Sequence, residues 1–121
     1  MNNELTQLME DNLHHVWSER NASRRRVALE GVYASSSSLF EVGEIITGYD
    51  AINEKISNIV SGMPGDFIFT RLKPIIINNN VGRLIWGLGP KGQPPVATGM
   101  DIAVFENGKI KSLYVFMEDK S

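Results

Sequence analysis

Asn107-Gly108 separates two runs of strand-forming residues, and it constrains the fold of this chain more tightly than any other pair. Asn-Gly best suits a two-residue type I′ turn, in which both central residues take positive φ. The flanking segments, Thr98 to Glu106 and Lys109 to Phe116, therefore form a β-hairpin whose register the turn sets. Counting outward, Glu106 faces Lys109, Phe105 faces Ile110, Val104 faces Lys111, Ala103 faces Ser112, Ile102 faces Leu113 and Asp101 faces Tyr114. Cross-strand partners share a side of the sheet. One side then carries Phe105, Ile110, Ala103, Ser112, Asp101, Tyr114 and Phe116, free of charge except for Asp101. The other carries Glu106, Lys109, Lys111 and Val104 near the turn, then Ile102, Leu113, Met100 and Val115. The charged tip requires water, so the first side is the inner one and Asp101 points into an apolar interior or a pocket. A carboxylate there either meets a ligand or accepts hydrogen bonds from Tyr114 or a backbone N–H. The apolar residues left outside, Met100, Ile102, Leu113 and Val115, predict a partner surface, and a two-fold homodimer is the commonest kind.

Ahead of the hairpin the pattern changes from helical to extended. From Glu4 to Arg20 the apolar residues Leu5, Leu8, Met9, Leu13, Val16 and Trp17 fall on one helical stripe. Asn21 caps a second helix running to about Ala34, with Val27, Ala28, Leu29, Val32 and Tyr33 on its buried face. Ser35 to Ser38 read as a connector. Leu39 to Val42 and Glu44 to Thr47 form a short strand pair around Gly43, and Gly48 leads into a third helix with Asp50 as its cap. That helix stops at Ser61-Gly62-Met63-Pro64-Gly65. The remaining strands are Phe67 to Ile77, Val81 to Leu88, Ala97 to Glu106 and Lys109 to Met117, with Asn78-Asn79-Asn80 as a turn and Pro90 to Pro95 as a longer loop. Pro74 cannot donate to a ladder and marks an edge or a bulge. Helices first and strands second predict an α+β domain, in which a curved, mainly antiparallel sheet closes over three amphipathic helices.

At 121 residues the chain is one domain, 1–121, able to bury roughly two-thirds of its unfolded surface. A net charge of −2 argues against binding nucleic acid by phosphate neutralisation, and no apolar run approaches the length that crosses a bilayer. The absence of cysteine excludes disulfides, thiolate metal sites and cysteine nucleophiles. With no secretory signal at the amino terminus, a cytoplasmic location is the expectation.

Three other features invite chemistry. His14-His15 diverge by about 100° on a helix, so they do not form a zinc pair; only His15 lies near enough to the apolar stripe to neighbour a pocket. Arg24-Arg25-Arg26 diverge in the same way and read as solvated helix surface, with one of them tied to a carboxylate. Gly87-Leu88-Gly89-Pro90-Lys91-Gly92 resembles a phosphate loop but no helix follows it, so it reads as a flexible turn on a cavity rim. No serine sits in a nucleophile elbow.

Trp17 late in helix one, Leu29 to Ala34 ending helix two, Gly48-Tyr49-Asp50-Ala51-Ile52 opening helix three, and Thr98-Gly99-Met100-Asp101 with Asn107-Gly108-Lys109-Ile110 near the end form an ordered set. In that order and spacing, over nearly the whole chain, the sequence resembles the nuclear transport factor two-like superfamily. This is the cone-shaped α+β barrel shared by ketosteroid isomerases, SnoaL-like polyketide cyclases and limonene epoxide hydrolases. The resemblance implies an internal pocket for a small, largely hydrophobic molecule. It places Glu41 where ketosteroid isomerase has its proton-abstracting aspartate and Asp101 where it has a protonated aspartic acid. In that enzyme one carboxyl is kept neutral by its apolar site and donates a hydrogen bond. Two departures stand out: Trp17 holds the position of the helix-one tyrosine, and the usual Asp-Pro reads Glu41-Val42.

Two functions follow as expectations. One is acid/base catalysis by Glu41 and Asp101 without metal or cofactor, of an isomerase, cyclase or hydrolase kind. The other is a non-catalytic ligand-binding or dimeric assembly module of the same fold. Trp17, Tyr33, Phe40, Trp86, Tyr114 and Phe116 are the candidate aromatic lining.

Overall fold

The computed structural model describes residues 3–118. Helix α1 (Asn3–Asp11) continues into a wider π-helical segment, Asn12–Trp17, and then come α2 (Ala22–Val32), β1 (Tyr33–Glu41), β2 (Glu44–Thr47) and α3 (Tyr49–Ser61). The second half supplies β3 (Phe67–Arg71), β4 (Ile76–Asn78), β5 (Val81–Pro90), β6 (Ala97–Glu106) and β7 (Lys109–Met117). One sheet runs β2-β1-β7-β6-β5-β3, with β4 also paired to β5. Its pairs are antiparallel except β1 with β7, which are parallel, so the sheet is mixed. The curved sheet stays open, with β2 and β3 as edges, and so differs from the closing sheet expected from the sequence.

Single residues explain most of the local differences. Asn21 caps α2 by accepting from the Arg24 N–H, but the helix ends at Val32 because Tyr33 is already extended at φ −106°, ψ 150°. The serine run is therefore part of β1: this strand pairs with β7 at Tyr33 and, after an irregularity, again from Ser38, and with β2 at Ser38–Glu41, so paired residues hold the run at both ends. The cap of α3 is Gly48 at φ 93°, whereas Asp50 sits in the first turn and binds Arg26 at 2.8 Å. The strand expected over 67–77 is divided into β3 and β4 around Lys73-Pro74, as a residue without an N–H requires. The glycine-rich run lies largely within β5, where a Cβ on Gly87 would meet the Pro95 ring at 2.8 Å, so it is packed strand and not a flexible turn.

The arginine triplet divides. Arg24 reaches Glu19 from an exposed position, and Arg26 joins Asp50 and Glu30 with its guanidinium 4.6 Å from the Tyr49 ring centroid. Arg25 contradicts the solvated reading: its exposure is 0%. Its guanidinium donates to the Glu19 carbonyl, to the Asn53 carbonyl and Oδ1 and to Ser57 Oγ, tying the start of α2 to α3. Burial lowers its pKa, and among the described residues no carboxylate bonds it directly.

The hairpin turns at Asn107-Gly108 with both residues at positive φ, 52° and 75°. Its register holds for Glu106–Lys109 and Phe105–Ile110 and then slips: Val104 pairs with Ser112, Ala103 with Leu113, Ile102 with Tyr114 and Asp101 with Val115. Lys111 is the extra residue of a β-bulge, and its Nζ bonds Ser36 on β1. Because side chains alternate strictly, one extra residue exchanges the faces of everything beyond it. Leu113 and Val115 are consequently buried inside. Tyr114 and Phe116 face outward at 37% and 46% exposure, so they do not line the interior.

Candidate ligand-binding cavity

A cavity of about 240 Å³ lies on the inner side of the sheet, walled by the π-helical segment, α3 and strands β1, β3, β5, β6 and β7. Its buried end is made by Leu13, Trp17, Phe69, Trp86 and Asp101. Ile59, Leu88 and Val115 form the walls, and the more exposed Glu41, Met63 and Met117 mark the mouth. The wider π turn brings Asn12, Leu13, Val16 and Trp17 inward together, four buried residues of six. Trp17 meets Phe69 edge to face at 5.8 Å, and Phe69 meets Trp86 likewise at 5.3 Å.

Asp101 is held by the pairing of β5 with β6. Leu84 stands opposite Asp101 and Trp86 opposite Gly99, so Trp86 is the diagonal neighbour of Asp101, within reach of a long aromatic side chain. The indole leans across Gly99, where a Cβ would collide with its six-membered ring, and donates from Nε1 to Asp101 Oδ1 at 2.9 Å. Oδ1 is thereby occupied, and no hydrogen bond holds Oδ2 among the described residues. Asp101 is only 4% exposed. Burial pushes its carboxyl up to about 7; the Trp86 N–H opposes that rise and the charge of Glu41 adds to it.

Glu41 ends β1 on the same inward face. Leu39 pairs with Leu113 across β1 and β7, and Asp101 with Val115 across β7 and β6. Two residues beyond Leu39 and Leu113, Glu41 and Val115 share a row, so Glu41 and Asp101 flank Val115 with their backbones about 10 Å apart. Burial raises the Glu41 carboxyl above its ordinary range, Lys55 lowers it and Glu44 raises it again. Lys55 itself pairs with Glu44 at 2.8 Å. Among the described residues eleven line the cavity, and Glu41 and Asp101 are the only ionisable ones of these; the rest are apolar or indole.

The sequence-predicted residues thus divide. Glu41, Asp101, Trp17 and Trp86 line the cavity. Tyr33 is fully buried beside it, donating to Asn12 Oδ1 at 2.6 Å, and burial raises its phenol pKa strongly. The Trp17 N–H lies near that hydroxyl but falls short of hydrogen-bonding geometry. Phe40 and Tyr114 stack on each other at 4.3 Å on the outer side, and Phe116 lies there too. Among the outer residues, Met100 and Ile102 keep their place, while Leu113 and Val115 belong inside. Both histidines are exposed, and His14 lies 3.6 Å from Glu10. Among the described residues no group of three or more His, Asp or Glu could hold a metal ion, and no helix is long and apolar enough to cross a membrane.

Leu13, Ile59, Met63, Phe69, Leu88, Val115 and Met117 line the cavity without having been among its expected lining, and Val115 was expected on the outer face. Leu88 was within reach, since it shares a strand face with Trp86, and Ile59 and Met63 are one helical turn apart near the end of α3.

No protein-family model matches the chain, and no curated protein matches it. Solved structures do. A proposed isomerase of the SnoaL-like family from Agrobacterium tumefaciens str. C58 superposes with a TM-score of 0.85 at 20% identity, over 96% of this chain and 98% of that one. A proposed SnoaL-like polyketide cyclase from Jannaschia sp. CCS1 gives 0.79 at 8% identity, over 95% and 85%. A proposed ketosteroid isomerase from Kribbella flavida DSM 17836 gives 0.73 at 12% identity, over 98% and 80%. At these identities the likeness is one of fold.

Proposed function

We propose, for a chain that has the nuclear transport factor two-like fold, that the cavity binds a small, largely apolar molecule and that its two carboxyls move a proton on it. The observation that carries this reading is that Glu41 and Asp101 are, among the described residues, the only ionisable groups in an otherwise apolar cavity, each with a raised pKa. A buried acid whose neutral form persists toward pH 7 can donate to an oxygen that gains charge, while the carboxyl nearer solvent takes a proton from carbon. Glu41 is the base and Asp101 the donor. Proposed isomerases and cyclases among the structural neighbours agree with such chemistry, although one fold hosts many activities.

The test is exchange of the α-protons of 1-indanone with deuterium in heavy water, followed by proton NMR. The protein accelerates exchange, Glu41→Gln abolishes the acceleration, and Asp101→Asn reduces it by roughly 10²-fold or more. Binding of the ketone with no acceleration in the native protein leaves the non-catalytic binding module as the function.

Assembly is a second proposal. Phe40 stacked on Tyr114, with Met100, Ile102 and Phe116, forms an apolar outer face on neighbouring strands β1, β7 and β6. We propose that a second copy covers it through a two-fold axis. Phe116→Glu then converts a dimer to a monomer in sedimentation velocity; a native protein that sediments as a monomer refutes it.

A further inference from the structure

The cavity also limits what can enter it, and this deepens the ligand-binding reading on which it rests. An apolar cavity of about 150 Å³ accommodates benzene. Scaled by volume, about 240 Å³ holds a body of about ten non-hydrogen atoms, the size of two small fused rings. Polarity fixes the orientation. At the buried end the Trp17 N–H lies beside the buried Tyr33 hydroxyl, which leaves Asp101 as the group that meets a ligand, and since Trp86 occupies Oδ1, Oδ2 remains for it. The walls beyond it are Ile59, Leu88 and Val115, which offer no side-chain hydrogen bond.

Trp17 closes the buried end. Its indole packs edge-on against Phe69, is 6% exposed, and has an Nε1–H without a hydrogen-bond partner among the described residues. A buried donor left unpaired destabilises a fold, and phenylalanine in its place would remove that cost. What the indole supplies is bulk at the buried end, beside Leu13 and Phe69. We infer that the cavity selects a neutral ligand of about ten non-hydrogen atoms with one hydrogen-bond acceptor at its inner end, and that Trp17 sets the size limit.

Two ketones with different ring counts test this. 1-Indanone has two fused rings; androstan-3-one has four and about twice the volume. The only tryptophans in the chain are Trp17 and Trp86, and both line the cavity, so indole fluorescence reports occupancy. Greater apolar area alone would favour the steroid, so the expected order runs against that trend. The native protein binds 1-indanone at least about tenfold more tightly than androstan-3-one. Trp17→Leu, read through Trp86, shifts that ratio toward the steroid by about tenfold or more. If Trp17→Leu does not fold, Leu13→Ala opens the same end and is expected to shift the ratio in the same direction. Native protein that binds the steroid as tightly as 1-indanone, or a folded variant that leaves the ratio unchanged, overturns the size rule while the pocket stands. Failure of both ketones to bind the native protein overturns the pocket reading as well.

Discussion

Replacing Asp101 by asparagine changes how stability depends on pH, and the structure gives both the sign and the size. Burial pushes the carboxyl up to about 7 in the fold against an ordinary 3.8. Between those values the folded protein holds a proton that the unfolded chain has released, so stability falls as pH rises through this window and levels off above it. At 1.36 kcal/mol for each pH unit, the native protein loses ~4 kcal/mol from this group between pH 4 and pH 8. Asparagine keeps an oxygen for the Trp86 N–H and cannot ionise. It leaves an amide to satisfy in an apolar cavity, costing ~1 kcal/mol at every pH. The variant is therefore slightly less stable than the native protein at pH 4 and about 3 kcal/mol more stable at pH 8. Urea denaturation followed by circular dichroism reads this as a midpoint difference that changes sign, rising by about 1–3 M at high pH. Glu41 also titrates high and contributes a slope of the same sign in both proteins, so only its coupling to the Asp101 charge enters the difference. A difference between variant and native that stays constant from pH 4 to pH 8 would mean that Asp101 is ionised in the fold throughout, and the reasoning fails.

Other substitutions probe the scaffold that holds the site. Gly99→Ala puts a methyl group into the Trp86 ring and is expected to cost about 2–3 kcal/mol in urea denaturation while shifting indole emission to longer wavelength. Arg25→Met leaves the Glu19 and Asn53 carbonyls without their donor and lowers stability by about 3 kcal/mol; a change below 1 kcal/mol would show that the clamp holds nothing. Deleting Lys111 removes the bulge and turns Leu113 and Val115 outward, so cooperative thermal unfolding disappears.

The hairpin shows how far the sequence could be read. Asn107-Gly108 placed its turn and the first two cross-strand pairs, because the dihedral needs of that dipeptide are local. Lys111 has no such mark: its bulge depends on the parallel pairing of β7 with β1 and on Ser36 receiving its amine, contacts some 75 residues apart. From that one residue follow the misplacement of Tyr114 and Phe116 inside and of Leu113 and Val115 outside. Asp101 stayed on the inner face because it precedes the bulge on the other strand, where alternation from Phe105 is unbroken. Arg25 escaped for a similar reason. Helical geometry separates the three arginines, but only the packing of α2 on α3 decides which one is buried. Composition alone reads the serine run as a connector, but low β-propensity yields to the pairing of Tyr33 with β7 ahead of it and of Ser38 with both β2 and β7 at its end.

The proposed chemistry requires a buried Asp101 carboxyl that keeps its proton near neutrality and faces an open cavity. Carbon-13 NMR of protein labelled at its aspartate carboxyls measures that group directly, with Asp101→Asn assigning the resonance. The expected result is a titration midpoint of about 7 and a shift of this resonance when 1-indanone is added at pH 6. A midpoint near the ordinary 3.8, with a resonance indifferent to the ketone, would contradict it.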